Sequence, residues 1–301
     1  MECTKEGWAL EMTEYLMRES SPLTSEEWTG LDEAVVASAR RTLVGRRFIP
    51  LYGPLQPGWQ AAPLDRPGPA TAAGLNLTGD GNHPAPQPSR SFLPVPMIYS
   101  DFFLHWRDLE TTRQMKIPLD TSAAAAAATD CAQAEDRLLF NGQPEAGYEG
   151  LLTVQGRQVL PLSDWNTGGQ GFQDIVRAIE KLQATGFYEP YAVVMSPHLY
   201  ALLHRPYADT GILEIHQIRE LARDGVYSSA VLAESSAVVV STGPQNMDLA
   251  VAQDLVTSFL QTTNMNHYFR VFELLVLRIK QPGAICTLEA GKHGIPHNGV
   301  G

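Results

Sequence analysis

The sequence predicts an α+β fold, and three observations carry that prediction. A capping signature, Thr24 with Glu27 three positions on, opens an amphipathic run from Leu23 to Leu43. An alanine run, Ala123 to Ala128, sits inside a second helical segment spanning Thr121 to Phe140. Beyond Gly150 helical and strand periods alternate, ending in the long apolar and aromatic segment Tyr268 to Leu277. With 301 residues the chain can bury a sizeable core, as one large domain or two smaller ones. Hydrophobic residues at 44% and charged residues at 18% describe an ordinary globular protein.

The elements follow in order. A short helix is predicted from Trp8 to Met17. In the first long helix Leu31, Val35, Ala39 and Leu43 recur at helical spacing, and Gly45 stops it. Arg46 to Tyr52 reads as a strand whose Pro50 argues for a sheet edge. Residues Gly53 to Pro96 are punctuated by Pro and Gly. A connection that long is held by something outside its own subunit or is disordered, and its middle, Pro67 to Arg90, reads as a mobile insertion. Val95 to Glu110 reads as a returning strand and a short helix. Asp120, Thr121 and Ser122 cap the alanine-rich helix, whose residue type is the best helix former. Then come a helix at Gln173–Gln183, a buried strand at Tyr191–Met195, and a helix from Ser196-Pro197 through Leu203. Strands follow at Ser236–Ser241, Leu249–Gln253 and Tyr268–Leu277, the last continuing to Ile285–Leu288. The tail Gly291–Gly301 is expected to fray. No internal repeat is present.

Composition excludes several function classes. No apolar run approaches the roughly 20 residues that span a bilayer, so no membrane partner is expected. The first residues mix acids with bases and lack a signal-peptide pattern. Three widely separated cysteines, Cys3, Cys131 and Cys286, argue against a disulfide framework and fit a cytoplasmic location. A net charge of −11 disfavours nucleic acid, which needs clustered Lys and Arg. The histidines form no metal signature, and Gly-x-Ser-x-Gly is absent. Asp164, Asp174 and His198 read as caps or surface polar groups, leaving no catalytic residue and no metal ligand.

Glu135-Asp136-Arg137-Leu138-Leu139-Phe140-Asn141-Gly142, at the end of the alanine-rich helix, resembles the end of the spine helix in encapsulin shell proteins. Upstream, Pro22-Leu23-Thr24-Ser25-Glu26-Glu27-Trp28, Val44-Gly45-Arg46-Arg47-Phe48 and Gly53-Pro54 are similar to that family's N-terminal helix and first strand. Downstream, Gly225-Val226-Tyr227 and Ala252-Gln253-Asp254-Leu255 sit where the family has a pore-side loop and its return strand. The resemblance, over roughly residues 20–289, implies the α+β fold of tailed-phage major capsid proteins (Hong Kong 97 type). It implies the following division: 1–52 N-terminal segment, helix and first strand; 53–110 extended arm; 111–172 peripheral domain with spine helix; 173–260 axial domain; 261–289 peripheral return strands; 290–301 flexible tail.

The function so implied is a container. About 60 copies, or a multiple, close into an icosahedral nanocompartment around a cargo enzyme. Ferritin-like or dye-decolorising peroxidase cargo is implied, with roles in iron storage or oxidative stress, captured through a short terminal targeting peptide. By position, Leu31, Val35, Arg46, Phe48 and Asp254 are implied to form the interior cargo groove, although plain core packing fits them equally. Trp106 falls where some members bind flavin, or packs at a subunit contact. Asp209, Glu214 and His216 fall in the pore loop, or in an ordinary exposed loop. Two rivals stand beside the container: a phage or prophage capsid protein, and a soluble flavin-dependent or hydrolytic enzyme.

Overall fold

The computed structural model describes residues 14–68, 73, 87–206 and 211–290. The helix expected at Trp8–Met17 lies mostly outside them. Its described end holds two short 3-10 turns, Glu14–Leu16 and Arg18–Ser20.

Helix α1 (Ser25–Thr42) begins with the expected capping box. Thr24 Oγ1 accepts from the Glu27 amide at 3.3 Å, and Glu27 Oε2 accepts from the Thr24 amide at 2.7 Å. Its inward stripe is Trp28, Leu31, Val35 and Ala39. The strand predicted for Arg46–Tyr52 is a correction: Gly45–Arg47 is a 3-10 turn, and only β1 (Leu51–Tyr52) is extended. The cause is tertiary. The buried Asp136 carboxylate accepts from the amides of Val44 (2.9 Å) and Gly45 (2.9 Å), so that stretch of backbone bonds to a helix instead of a ladder. Gly45 also lies close under Leu139, whose Cδ1 would be 2.4 Å from an added Cβ.

The arm is an antiparallel pair, β2 (Ala61–Arg66) with β3 (Ser89–Pro94). Residues 69–72 and 74–86, most of the Pro-rich insertion, lie outside the described residues. The arm does not depend wholly on a neighbour, as its length suggested. Ala62 and Leu64 are buried against their own subunit, with Ala62 packed on Ala250 and Val276. Arg278 Nη1 donates to the Pro63 carbonyl at 2.8 Å, which holds β2 to the body.

Strand β4 (Met97–Leu104) returns from the arm and leads into α2 (Trp106–Met115). Helix α3 (Ser122–Asn141) starts where Asp120 Oδ1 accepts from the Ser122 amide at 2.9 Å, and ends at Gly142. That glycine has φ +69°, and a Cβ there would lie 2.5 Å from the Tyr148 carbonyl oxygen, so only glycine fits.

The remaining elements are β5 (Gln158–Leu162), α4 (Gln170–Ala184), β6 (Tyr191–Met195), α5 (Pro197–Leu202), α6 (Glu214–Leu221), β7 (Val226–Ser228), β8 (Ser236–Ser241), β9 (Met247–Thr263), β10 (Asn266–Ile279) and β11 (Ile285–Ala290). Two sheets result, in the orders β1-β9-β10-β4 and β5-β11-β8-β6-β7. Their membership crosses the division drawn at residue 260. β9 pairs with β10 in the first sheet, while β11 leaves through the turn Pro282–Ala284 and joins β8 in the second. The single run predicted from Tyr268 to Leu288 is therefore two strands in two sheets.

One core lies under α1 and α3. Ala124, Ala127, Ala128 and Cys131 let α3 sit close enough to β10 for the Cys131 thiol to reach the Val271 carbonyl at 3.4 Å. A second core lies between the sheets, where Ala192, Val194, Val238 and Val240 meet Leu249, Val251, Leu275 and Leu277. A third covers the other face of β6 and β8, where Val193, Met195, Ala237 and Val239 meet Ile175, Leu182 and Ile218. Burial on both faces explains why β6 and β8 read as continuous apolar runs instead of alternating ones. Cys131 and Cys286 are free and buried, and burial pushes their thiols up to about 12 and about 11.

Candidate functional site

The outward face of α1 borders a groove. A hollow of about 360 Å³ is lined on its apolar side by Val36, Ala39, Leu43 and Leu255, and on its charged side by Arg40, Arg46, Arg47 and Asp254. A second hollow of about 390 Å³, lined by Asp32, Glu33, Val36, Ala37 and Arg40, shares Val36 and Arg40 with the first. Together they make one strip along the helix.

An ionic cluster holds one wall of the groove. Arg46 Nε donates to both oxygens of Glu135 (2.8 and 2.9 Å), Nη1 to Asp254 Oδ1 (2.6 Å) and Nη2 to Glu273 Oε2 (2.6 Å). Glu135 and Glu273 are almost fully buried, whereas the Asp254 side chain is 68% exposed at the groove. One guanidinium thus serves three carboxylates. Burial, and then the Glu135 charge beside it, push the Glu273 carboxyl well above its ordinary range, against the pull of Arg46. Its Oε1 has no hydrogen-bond partner.

Next to this cluster the Asp136 carboxyl is pushed up to about 6, by burial first, against the Gly45 and Val44 amides that bond its charged form. The folded chain therefore keeps a proton that the unfolded chain releases near pH 4. Stability from this group is full below about pH 4 and is lost as pH rises through about 6, by about 3 kcal/mol. Urea midpoints of the wild type are expected to fall more between pH 4.5 and 7 than those of Asp136→Asn. Parallel slopes for the two proteins would refute this account.

Of the residues implied for the groove, Arg46 and Asp254 are brought together and line it. Leu31 and Val35 are corrected: both are core residues facing Phe102, Phe259 and Phe269. Phe48 is also core, its ring stacked on Tyr227 at 6.0 Å. Among the groove residues that pattern reading missed are Val36, Arg40, Leu43, Arg47 and Leu255. Val36 carried a signal, since a second valine beside Val35 falls off the inward stripe, and it is 40% exposed.

In the expected pore loop, Asp209 lies outside the described residues. Glu214 is corrected. It is buried, and its carboxylate accepts from the amides of Phe172 (2.7 Å) and Gly169 (3.3 Å), capping the start of α4. His216 is exposed. Trp106 is half-buried, with His105 at 6.2 Å and the Arg107 guanidinium at 5.5 Å from its ring. Asp174 accepts from the Ser163 amide and from Trp165 Nε1, a structural role.

Residues 12–276 match the family described as "Encapsulating protein for peroxidase". The chain is 51% identical over 279 residues to the type 1 encapsulin shell protein EncA of Myxococcus xanthus, covering 92% of this chain and 97% of that protein. The chain belongs to the encapsulin shell-protein family. A diheme-cytochrome–encapsulin shell fusion protein of Kuenenia stuttgartiensis is 45% identical over 267 residues, covering 89% of this chain and 74% of that one. The fold is also that of the virus-like particle of Pyrococcus furiosus (TM-score 0.71, 20% identity, 88% of this chain and 99% of that one). The capsid of the phage XM1 shares it too (TM-score 0.60, 15% identity, 80% of this chain and 89% of that one).

As an encapsulin, the chain is a shell component and not an enzyme, and its α+β fold is of the Hong Kong 97 capsid type. The encapsulin match over nearly the whole chain decides against both rival readings. Among the described residues no helix is long and apolar enough to cross a membrane, and no cluster of His, Cys, Asp or Glu could hold a metal ion.

Proposed function

We propose that this encapsulin closes into an icosahedral shell of about 60 copies, or a multiple, and captures a redox enzyme by a short terminal tail lying in the groove along α1. The groove carries the reading: a hollow with exposed Val36 at its edge, Leu43 and Leu255 in its lining and three arginines beside them suits a short peptide held by a few aliphatic side chains. The description of the matched family, "Encapsulating protein for peroxidase", favours a peroxidase as cargo, and a ferritin-like iron oxidase is the second candidate. The shell would isolate that chemistry, with the segment around His216 near a pore.

Burying one aliphatic side chain is worth roughly 1.5–3 kcal/mol. Changing Val36 to Asp is therefore expected to weaken capture at least tenfold. Particles should still form, because Val36 is not part of the core. The check is the protein content of shells isolated from the native source, measured by mass spectrometry. Cargo loading unchanged by Val36→Asp would remove the groove from the reading. At 33.0 kDa per chain, about 60 copies give a particle near 2 MDa by light scattering. A stable small oligomer at neutral pH would exclude the closed shell.

A further inference from the structure

We infer that the groove along α1 reads the end of the cargo chain: Arg40 and Arg47 hold the terminal carboxylate of a C-terminal tail whose last aliphatic side chains lie on Leu43 and Leu255. The inference rests on the proposed cargo groove and names the chemistry that groove selects. Three guanidiniums line the first hollow, and they are not equivalent. Arg46 directs all three of its nitrogens to carboxylates, so its charge is already answered. Arg40 and Arg47 are exposed, and neither has a carboxylate partner among the described residues. Arg47 reaches the Arg41 carbonyl at 3.4 Å and the face of Tyr227 at 5.9 Å. Arg40 sits in the last turn of α1, where a cation is favoured anyway, but Arg47 lies past the helix and owes its place to nothing of that kind. In a chain of net charge −11, two unanswered guanidiniums on one hollow are a local excess of positive charge.

The opposite wall keeps this end of the groove positive. The register of β9 against β10 shifts where Gln253 faces Leu274 and Val256 faces Phe272, so Asp254 and Leu255 together stand opposite Glu273. Such a bulge re-aims side chains. Here it brings Leu255 to the hollow and hands Asp254 to Arg46 at 2.6 Å, which neutralises the carboxylate on that wall. Donors without an acceptor therefore stand next to apolar surface. An α-carboxylate is the anion that a C-terminal tail carries beside its last side chains, and the planar fork of a guanidinium matches it. The far end of the strip has the opposite sign. There the second hollow is lined by Asp32, which Arg18 neutralises, and by exposed Glu33. The tail thus runs in the direction of α1, from Glu33 towards Arg47, with its free end at the arginines.

The test measures the enzyme that co-purifies with shells from the native source, per shell subunit, by quantitative mass spectrometry. Arg40→Gln and Arg47→Gln are each expected to lower its amount about tenfold, as the loss of one charge-assisted bond does. Extending that enzyme by Gly-Ser-Gly at its C-terminus carries the carboxylate past the arginines. The extension is expected to cost about tenfold in wild-type shells and nothing further in shells with both substitutions, a coupling that a merely structural role for the arginines would not give. Phenylglyoxal is expected to modify Arg40 and Arg47 in empty shells and to spare them in loaded ones. Full loading of the extended enzyme, or loading through an N-terminal or internal segment, overturns the inference. If Val36→Asp still empties the shells in that case, the groove stands and only the reading of the chain end falls. An extension that costs as much in the doubly substituted shells as in the wild type takes the carboxylate away from these two arginines and overturns their assignment. Loading unchanged by Val36→Asp refutes the cargo groove and this inference with it.

Discussion

Arg46→Ala is expected to yield no particles and mostly insoluble protein. The substitution leaves Glu135 and Glu273, 0% and 1% exposed, buried together without the one cation that serves both. Breaking a buried ion pair from one side costs about 3–5 kcal/mol, because a charge stays behind in low dielectric. That is a large part of the roughly 5–15 kcal/mol that holds a domain folded. Asp254, being exposed, loses little. The loss comes from the stranded carboxylates and not from the missing guanidinium, so their neutral isosteres should recover folding. Arg46→Met combined with Glu135→Gln and Glu273→Gln is expected to return soluble protein that assembles. Gel filtration and electron microscopy read both results. Normal shells from Arg46→Ala would show that the cluster is not what holds the α1–β1 connection to α3.

Deleting the arm, residues 59–95, is expected to abolish closed particles while leaving the two-sheet body folded. The arm has two sides with different partners. Ala62 and Leu64 face the body of their own subunit, where Arg278 also holds Pro63. Trp59 and Phe92, by contrast, are 41% and 64% exposed, as are Tyr99 and Phe103 on the edge strand β4, at 55% and 51%. Large apolar side chains in such number on an arm and an edge strand are the kind of surface that a neighbouring copy in a closed shell would cover. Removing only residues 69–86, which offer little apolar surface, is expected to leave shells intact. Light scattering separates the outcomes, and a full-size particle from the long deletion would show that closure does not use the arm.

What the sequence by itself determined was set over short distances along the chain. The capping box of Thr24 and Glu27 spans three residues, the α3 helix follows from its alanines, and Gly142 is required by a helix end with positive φ. The octet Glu135–Gly142 was the most telling segment because five of its eight residues have fixed duties, two of them toward partners some 90 positions away. Glu135 binds Arg46, Asp136 takes the Val44 and Gly45 amides, Leu139 and Phe140 fill the core, and Gly142 ends the helix. Family and fold were legible for that reason.

Tertiary structure decided the features whose partners lie far away in sequence. Gly45–Arg47 turns instead of extending because Asp136, some 90 positions later, claims its amides. Glu214 is a buried cap and not a pore charge because α4 starts beside it, more than 40 residues earlier. Which face of α1 meets the core depends on Phe102, Phe259 and Phe269, so Leu31 and Val35 went inside and Val36 was left to line the groove. Helical spacing shows that an apolar stripe exists and how wide it is. It does not show what will stand beside the off-stripe Val36, because Arg46, Asp254 and Leu255 are brought to that side of the helix only when the sheets close.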